Sequence, residues 1–177
     1  MAEENPYQIT MKKTFFYKFI PSKAEEEACK ANNTQWIPTR KLIEIRDIYP
    51  APKIDLKNPW QIKKRINRAE VVFGKIEIPF FETFEYILRY WNLSKAKSLV
   101  NGVRISVILW DVTEENDPKK YESGSIRFEM MYNDDYSLLC MPLFNDRGLR
   151  VDDEIGIYWD PRSSSFMFKL LSQVRGN

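Results

Sequence analysis

The chain has 177 residues, of which 44% are hydrophobic and 14% aromatic, so it can bury a core and is predicted to fold. Its formal net charge is only +2, so any affinity for nucleic acid must come from a local basic patch. The absence of histidine and the presence of only two cysteines, Cys29 and Cys140, exclude Ser/His and Cys/His nucleophile pairs and imidazole or all-thiolate zinc sites.

Apolar segments of the kind that insert into or cross membranes are missing from the sequence. No apolar run approaches the roughly 20 residues that a membrane span needs. The N-terminus does not resemble a signal peptide, and the two cysteines lie far apart, which favours a reducing, intracellular compartment with free thiols. We therefore expect no membrane partner, and no motif indicates a cofactor, a metal or a small-molecule substrate.

Residues 1–57 differ in character from the rest and are predicted to form an N-terminal extension. They contain a compact aromatic run, Thr14–Ile20, which is followed directly by a proline. Aromatic side chains at this density usually pack within their own chain, so the run is predicted to brace the main domain. The alternative is that residues 1–57 dock a protein partner.

The extension also contains local signals for secondary structure. Ser22 with Glu25 three positions later is a capping-box pattern, which predicts a short helix ending near Ala31. The segment Lys41–Tyr49 is apolar on one face and fits either a strand or a short helix. Pro50–Pro52 is predicted to be a stiff linker to the main domain.

The segment Asn58–Pro79 carries the strongest local charge. Its apolar residues, which include Trp60 and Ile62, predict a strand, and five cations against one acid between residues 63 and 75 give a local balance of +4. A flexible basic loop between two strands suits contacts with phosphates and base edges. A solvated basic loop without a ligand is the alternative.

The C-terminal half is predicted to be mainly β. Ile155, Ile157 and Trp159 alternate with less apolar residues, and after a turn the alternation resumes at Phe166, which predicts an antiparallel hairpin sealing an edge of the sheet. The other predicted elements are a helix over Phe80–Trp91, a strand over Val103–Leu109, an exposed loop over Asp111–Ser123, strands over Ile126–Met130 and Tyr136–Met141 around a tip at Asn133–Asp135, and a turn or helical stub over Pro142–Asp146. About seven short strands with one or two helices predict a closed or nearly closed mixed barrel.

Two motifs in this chain resemble the plant-specific B3 DNA-binding domain, in its divergent branch. Pro59–Lys64 (PWQIKK) is similar to the opening motif PW-x-IKK, and Arg147–Asp160 (RGLRVDDEIGIYWD) is similar to the closing motif RGL-x-V-x-DEIG-hydrophobic-aromatic-WD. Between them, Lys75–Pro79 (KIEIP) resembles the second-strand pattern. The resemblance implies a mainly β domain with short helices over residues 58–173, built as a seven-stranded open pseudobarrel and preceded by the extension at residues 1–57.

The resemblance also implies a function, namely sequence-specific binding of double-stranded DNA in the major groove by a nuclear plant transcriptional regulator. Two loops would make the contacts: the N-arm, Asn67–Lys75, and the C-arm, Met131–Tyr136. We expect cations of the N-arm region to contact phosphates and Asn67 to contact a base edge. The residues expected to contact DNA are Lys63, Lys64, Arg65, Asn67, Arg68, Lys75, Met131, Tyr132, Asn133 and Tyr136.

A second hypothesis is a protein-interaction or chromatin-complex subunit that keeps the barrel and binds DNA weakly or not at all. Asp134 and Asp135 at the C-arm tip motivate it, because carboxylates there oppose phosphate. The aromatic run of the extension motivates it further. An enzyme is not expected, because Asp152, Asp153 and Glu154 are adjacent in sequence and would point to opposite faces of a strand.

Overall fold

The computed structural model describes residues 12–18, 21–36, 40–46 and 52–174, which form a mainly β protein with short helices. The strands are Lys12–Lys18 (β1), Arg40–Arg46 (β2), Ile62–Arg65 (β3), Lys75–Ile78 (β4), Ile105–Ser106 (β5), Leu109–Asp111 (β6), Lys119–Tyr121 (β7), Arg127–Met130 (β8), Tyr136–Leu139 (β9), Glu154–Asp160 (β10) and Ser165–Ser172 (β11). The helices are Lys23–Ala31 (α1), Arg68–Phe73 (α2), Phe80–Tyr86 (α3), Leu93–Val100 (α4) and Met141–Arg147 (α5), with a 3-10 turn at Leu88–Tyr90.

The strands form three sheets. β1 and β2 pair as an antiparallel hairpin, five strands pair in the order β3-β10-β11-β6-β7, and four pair in the order β4-β9-β8-β5. The chain passes from the four-stranded to the five-stranded sheet between β5 and β6, where Val107 N donates to Ile126 O. Within the described residues no ladder of hydrogen bonds closes these sheets into one continuous barrel.

The core lies where the inner faces of the two larger sheets meet. Trp159 on β10 and Phe166 on β11 are register partners, and their ring centroids lie 5.1 Å apart. Phe128 on β8 approaches Phe166 to 5.2 Å, and Trp91 completes the cluster at 5.4 Å from Trp159. These side chains are buried, so the aromatic cluster holds the two sheets together through apolar burial and edge-to-face ring contacts.

Several predicted elements are confirmed. The Ser22–Glu25 capping box begins α1, which ends at Ala31. Residues 40–46 are a strand, the Pro142–Asp146 stub is the helix α5, and β10 and β11 form the predicted antiparallel hairpin. The part of the predicted linker at residues 50–51, together with residues 19–20 and 47–49 of the two N-terminal segments, lies outside the described residues.

Other predictions were wrong in detail. The β10–β11 hairpin does not seal an edge, because β3 and β6 flank it and place it at the centre of its sheet. The single strand predicted over Val103–Leu109 is two short strands in different sheets, and the loop predicted over Asp111–Ser123 contains β7. The helix predicted to reach Trp91 ends at Tyr86 and continues as a 3-10 turn, while α4 was not predicted.

The N-terminal hairpin packs against the rest of the described chain, which confirms the brace predicted from its aromatic run. The ring of Phe16 lies 6.1 Å from that of Phe80 and 5.5 Å from that of Phe84 on α3. Lys12 Nζ donates to Trp91 O at 3.0 Å, and Arg89 Nε donates to Lys12 O at 3.2 Å. None of the helices in the described ranges has the length and apolar character needed to cross a membrane.

The opening motif is fixed to the closing motif by an aromatic side chain lying over a glycine. A Cβ added at Gly156 would lie 2.9 Å from Cβ and Cγ of Trp60, whose ring also meets Tyr158 edge-on at 5.2 Å. We expect Gly156→Ala to lower the free energy of unfolding by about 1–3 kcal/mol through overpacking. Urea denaturation measures this, and Gly124→Ala is the matched control, because nothing lies within 4 Å of a Cβ there. Equal losses of unfolding free energy in the two variants would contradict overpacking against Trp60.

Candidate nucleic-acid interface

Most of the segment predicted as the N-arm loop is a short helix. Asn67 is the N-cap of α2: its side chain accepts from Glu70 N at 2.9 Å, and Asn67 N donates to Glu70 Oε1 at 2.9 Å. Gly74 ends the helix with φ +61, a left-handed conformation that favours glycine. Asn67 followed three positions later by Glu70 is a capping-box spacing, so the helix could have been predicted from the sequence.

Glu70 anchors this helix to the strands on either side of it. Its carboxylate is fully buried, and Oε2 accepts from Glu77 N at 2.8 Å. The ammonium of Lys64 lies 2.7 Å from the same oxygen and also donates to Glu77 O at 2.9 Å. The buried carboxylate is therefore compensated by one cation and two backbone amides, as a buried charge requires.

Three cations of the N-arm region remain directed to solvent. Lys63, Arg65 and Arg68 are exposed, and none of them forms an ion pair with another residue of the described ranges. Lys75 is more restrained: its Nζ lies 3.7 Å from Glu77 and 5.2 Å from the centroid of the Phe73 ring. Because no acidic side chain of the described residues pairs with these three cations, their charge is available to an anionic ligand.

The C-arm is the tight turn between β8 and β9. Met131 N donates to Asp135 O at 2.6 Å across the turn, and Asp134 adopts φ +64. The Asp135 carboxylate accepts from Phe80 N at 2.9 Å, so it fixes the turn to the start of α3. Tyr132 is fully exposed at the tip.

The other three C-arm residues that were predicted to contact DNA differ in how exposed they are. Asn133 beside the tip is exposed and Met131 is half-buried, so both can reach the surface. Tyr136 is fully buried, with its ring 5.9 Å from that of Phe128 and 6.2 Å from that of Phe84. Tyr136 was predicted to contact DNA, but in the structure its side chain is part of the core and has no exposed surface.

Two further predicted contacts are restricted by the same geometry. Lys64, which was predicted to contact DNA, instead anchors the helix internally, because its ammonium lies between Glu70 and Glu77 O. Asn67 already accepts a hydrogen bond through Oδ1, so its amide NH₂ and the second lone pair of Oδ1 are the groups left for a base edge. For the remaining predicted residues, contact with DNA stays a prediction.

The two arms lie at opposite ends of β4. α2 directly precedes Lys75, the first residue of β4, whereas the last residue, Ile78, pairs with Tyr136 at the end of the C-arm. Four strand residues span about 10 Å at their usual rise. The two arms therefore flank β4, which is an edge strand of the four-stranded sheet.

The described residues contain no metal-binding cluster, and the cysteine beside the N-arm is buried. No group of three or more His, Cys, Asp or Glu residues within the described ranges could hold a metal ion. Cys140 lies beneath the N-arm, where its backbone N–H donates to Gly74 O at 2.8 Å. Burial raises the pKa of its thiol well above the usual range, so the thiol stays protonated and unreactive.

The two larger sheets and the short helices between their strands define a mainly β domain, and comparison with known proteins specifies the family. Residues 60–171 match the family model described as B3 domain-containing protein At5g26805, C-terminal domain. The match spans more than half of the chain, so the chain belongs to this B3 domain family.

One relative and one solved structure are similar to this chain over the same region. At1g51970 of Arabidopsis thaliana, which is named as a B3 domain-containing protein, is 29% identical over 112 residues, or 63% of this chain and 86% of that protein. The structure titled "Arabidopsis FUS3-DNA complex" is similar with a TM-score of 0.35 and 15% identity, covering 65% of this chain and 97% of that chain.

Proposed function

We propose that this chain binds double-stranded DNA through the major groove with its N-arm and C-arm, as a non-enzymatic module of a nuclear plant transcriptional regulator. The observation that carries the proposal is the set of three exposed cations without acidic partners, Lys63, Arg65 and Arg68, beside a helix held by a buried ion pair. Cations already paired with protein carboxylates would gain little from phosphate, whereas these three can release counterions from DNA. Membership of the B3 domain family supports the same function.

We also propose that residues 58–173 form the B3-like domain and that its two sheets correspond to the seven-stranded open pseudobarrel. Counting β5 and β6 as one bent strand and leaving out the short edge strand β7 gives seven strands, namely β3, β4, β5–β6, β8, β9, β10 and β11. The family match at residues 60–171 lies within the proposed range and supports it. Residues 1–57 would then be an extension whose hairpin covers α3.

The proposal predicts a specific loss of affinity when a cation of the N-arm is removed. We expect Arg68→Ala to weaken duplex binding and to reduce the slope of log affinity against log salt by about one, because one phosphate contact is lost. Titration of a random duplex pool at several salt concentrations measures both quantities. Lys97→Ala is the matched control, because Lys97 is also an exposed cation but belongs to α4 and to neither arm.

Two experiments distinguish DNA binding from the protein-interaction hypothesis. Equal binding by wild type and Arg68→Ala at low salt would contradict the role of the N-arm. The protein-interaction hypothesis rested on two features that have internal roles in the described chain, since Asp135 holds Phe80 N and Phe16 packs on α3. A protein partner of residues 1–57 stays a prediction and is tested by deleting that segment in a pull-down.

A further inference from the structure

The outward side of the N-arm helix α2 is more apolar than a solvated helix requires. Val72 and Phe73 are 60% and 63% exposed, and Ala69 is exposed as well. Ala69 and Phe73 are four positions apart and therefore neighbours on the helix surface, as are Arg68 and Val72. A single exposed apolar residue is common, but adjacent large apolar side chains on a short helix indicate a recognition surface.

This apolar surface is held rigidly at both ends. Glu70, on the opposite side of α2, is tied to Lys64 and to Glu77 N, and Val71 packs against the core. At the C-terminal end Gly74 O accepts from Cys140 N at 2.8 Å, and a Cβ on Gly74 would lie 2.6 Å from Met141 Sδ. The backbone that carries Val72 and Phe73 is therefore fixed before a ligand binds, which reduces the entropic cost of binding.

The charges around α2 indicate what kind of partner it fits. Arg68 on the same helix and Arg65 and Lys63 on the adjoining strand are exposed cations without an ion pair in the described chain. The cores of protein–protein interfaces are depleted of charge, whereas a nucleic-acid interface combines cations for phosphates with contacts to base edges. In the major groove the thymine 5-methyl group is the apolar feature of the base edges, and Ala and Phe are among the side chains that contact it.

We propose that the outward side of α2, formed by Ala69, Val72 and Phe73, recognises the 5-methyl groups of thymine in the major groove while Arg68 contacts the neighbouring phosphate. This inference rests on the proposed function and extends it from general duplex binding to a chemical basis for sequence preference. Burying one methyl group contributes about 0.8 kcal/mol, which corresponds to roughly a fourfold change in affinity.

The test compares the same DNA sequences with and without the methyl group. Duplexes enriched from a random library by the wild-type chain are amplified once with dTTP and once with dUTP, and both pools are titrated by mobility shift at one salt concentration. We expect wild type to bind the deoxyuridine pool at least fourfold more weakly. Val72→Ser/Phe73→Ser should bind the thymidine pool more weakly than wild type and should not distinguish the two pools.

The variants also control for the fold and for changes in the DNA itself. Both replaced side chains are largely exposed, so the thermal midpoint should stay close to that of wild type, and Ile45→Ser on β2 provides an exposed apolar site outside the arms. Equal binding of both pools by wild type would overturn the thymine inference and leave the proposed function standing. If the double variant still discriminated against deoxyuridine, the contact would be assigned to other residues. Failure of wild type to enrich any duplex would overturn the proposed function, and the inference with it.

Discussion

Replacement of Lys64 by methionine is expected to lower the free energy of unfolding by about 3 kcal/mol, because the buried Glu70 carboxylate loses the one cation that pairs with it among the described residues. The two backbone amides that donate to Glu70 remain, but they cannot neutralise a full charge in the interior. Chemical denaturation measures the loss. Lys63→Met is the matched control one position earlier, where the side chain is exposed, and it should change stability by less than about 0.5 kcal/mol.

A double-mutant cycle assigns the effect to the pair. Glu70→Gln removes the buried charge, so Lys64→Met/Glu70→Gln should be less destabilised than the sum of the single variants by about 1–2 kcal/mol. DNA binding distinguishes the anchor from a phosphate contact, since the anchor predicts weaker binding with an unchanged salt slope. The opposite result is that the stability effects of the two substitutions add and that Lys64→Met reduces the slope of log affinity against log salt by about one. That outcome would show that Lys64 contacts a phosphate.

Arg89→Met is expected to lower the free energy of unfolding by about 2–3 kcal/mol, because it removes two charge-assisted hydrogen bonds of a buried side chain, one to the N-terminal hairpin and one to α3. The Arg89 side chain is 2% exposed, and it donates to Lys12 O on β1 and to Glu85 Oε1 at 2.8 Å. Arg104→Met is the matched control: Arg104 also pairs with a glutamate at 2.8 Å, but its side chain is 61% exposed. The control should cost less than about 1 kcal/mol.

This variant also tests how independent the extension is of the B3-like domain. Loss of Arg89 should make the β1–β2 hairpin more susceptible to limited proteolysis and should lower the global midpoint with it, because Phe16 packs directly on α3. If proteolysis of the hairpin became faster without any change in the global midpoint, the hairpin would be an appendage. The autonomous domain would then coincide with residues 58–173.

Local patterns accounted for much of the secondary structure. The period of two around Ile155 and Phe166 determines the β10–β11 hairpin, since each strand presents every second side chain to one core. The Ser22–Glu25 capping box begins α1 in the same local way. The equivalent spacing at Asn67 and Glu70 encodes α2, but the surrounding cations led to the prediction of a loop.

The candidate site was predicted less completely, because neighbouring residues of one type have different partners in three dimensions. Lys63 and Lys64 are identical in sequence terms, yet alternation along β3 exposes one and places the other against a buried carboxylate six positions away. The sequence places Tyr136 where the C-arm meets a strand, and only the pairing of β8 and β9 shows that its side chain lies inside the core. Charge and residue type cannot reveal such differences.

The amino-acid sequence by itself determined the β-rich class, the closing hairpin and the two motifs that indicate the B3 domain, because each depends on residues within a few positions of one another. Only the tertiary structure decided which cations are free, how the N-arm helix is anchored and which strands share a sheet. These features depend on pairings between residues distant in sequence, such as Phe80 N with Asp135, and packing and hydrogen bonding select them only when the whole core forms.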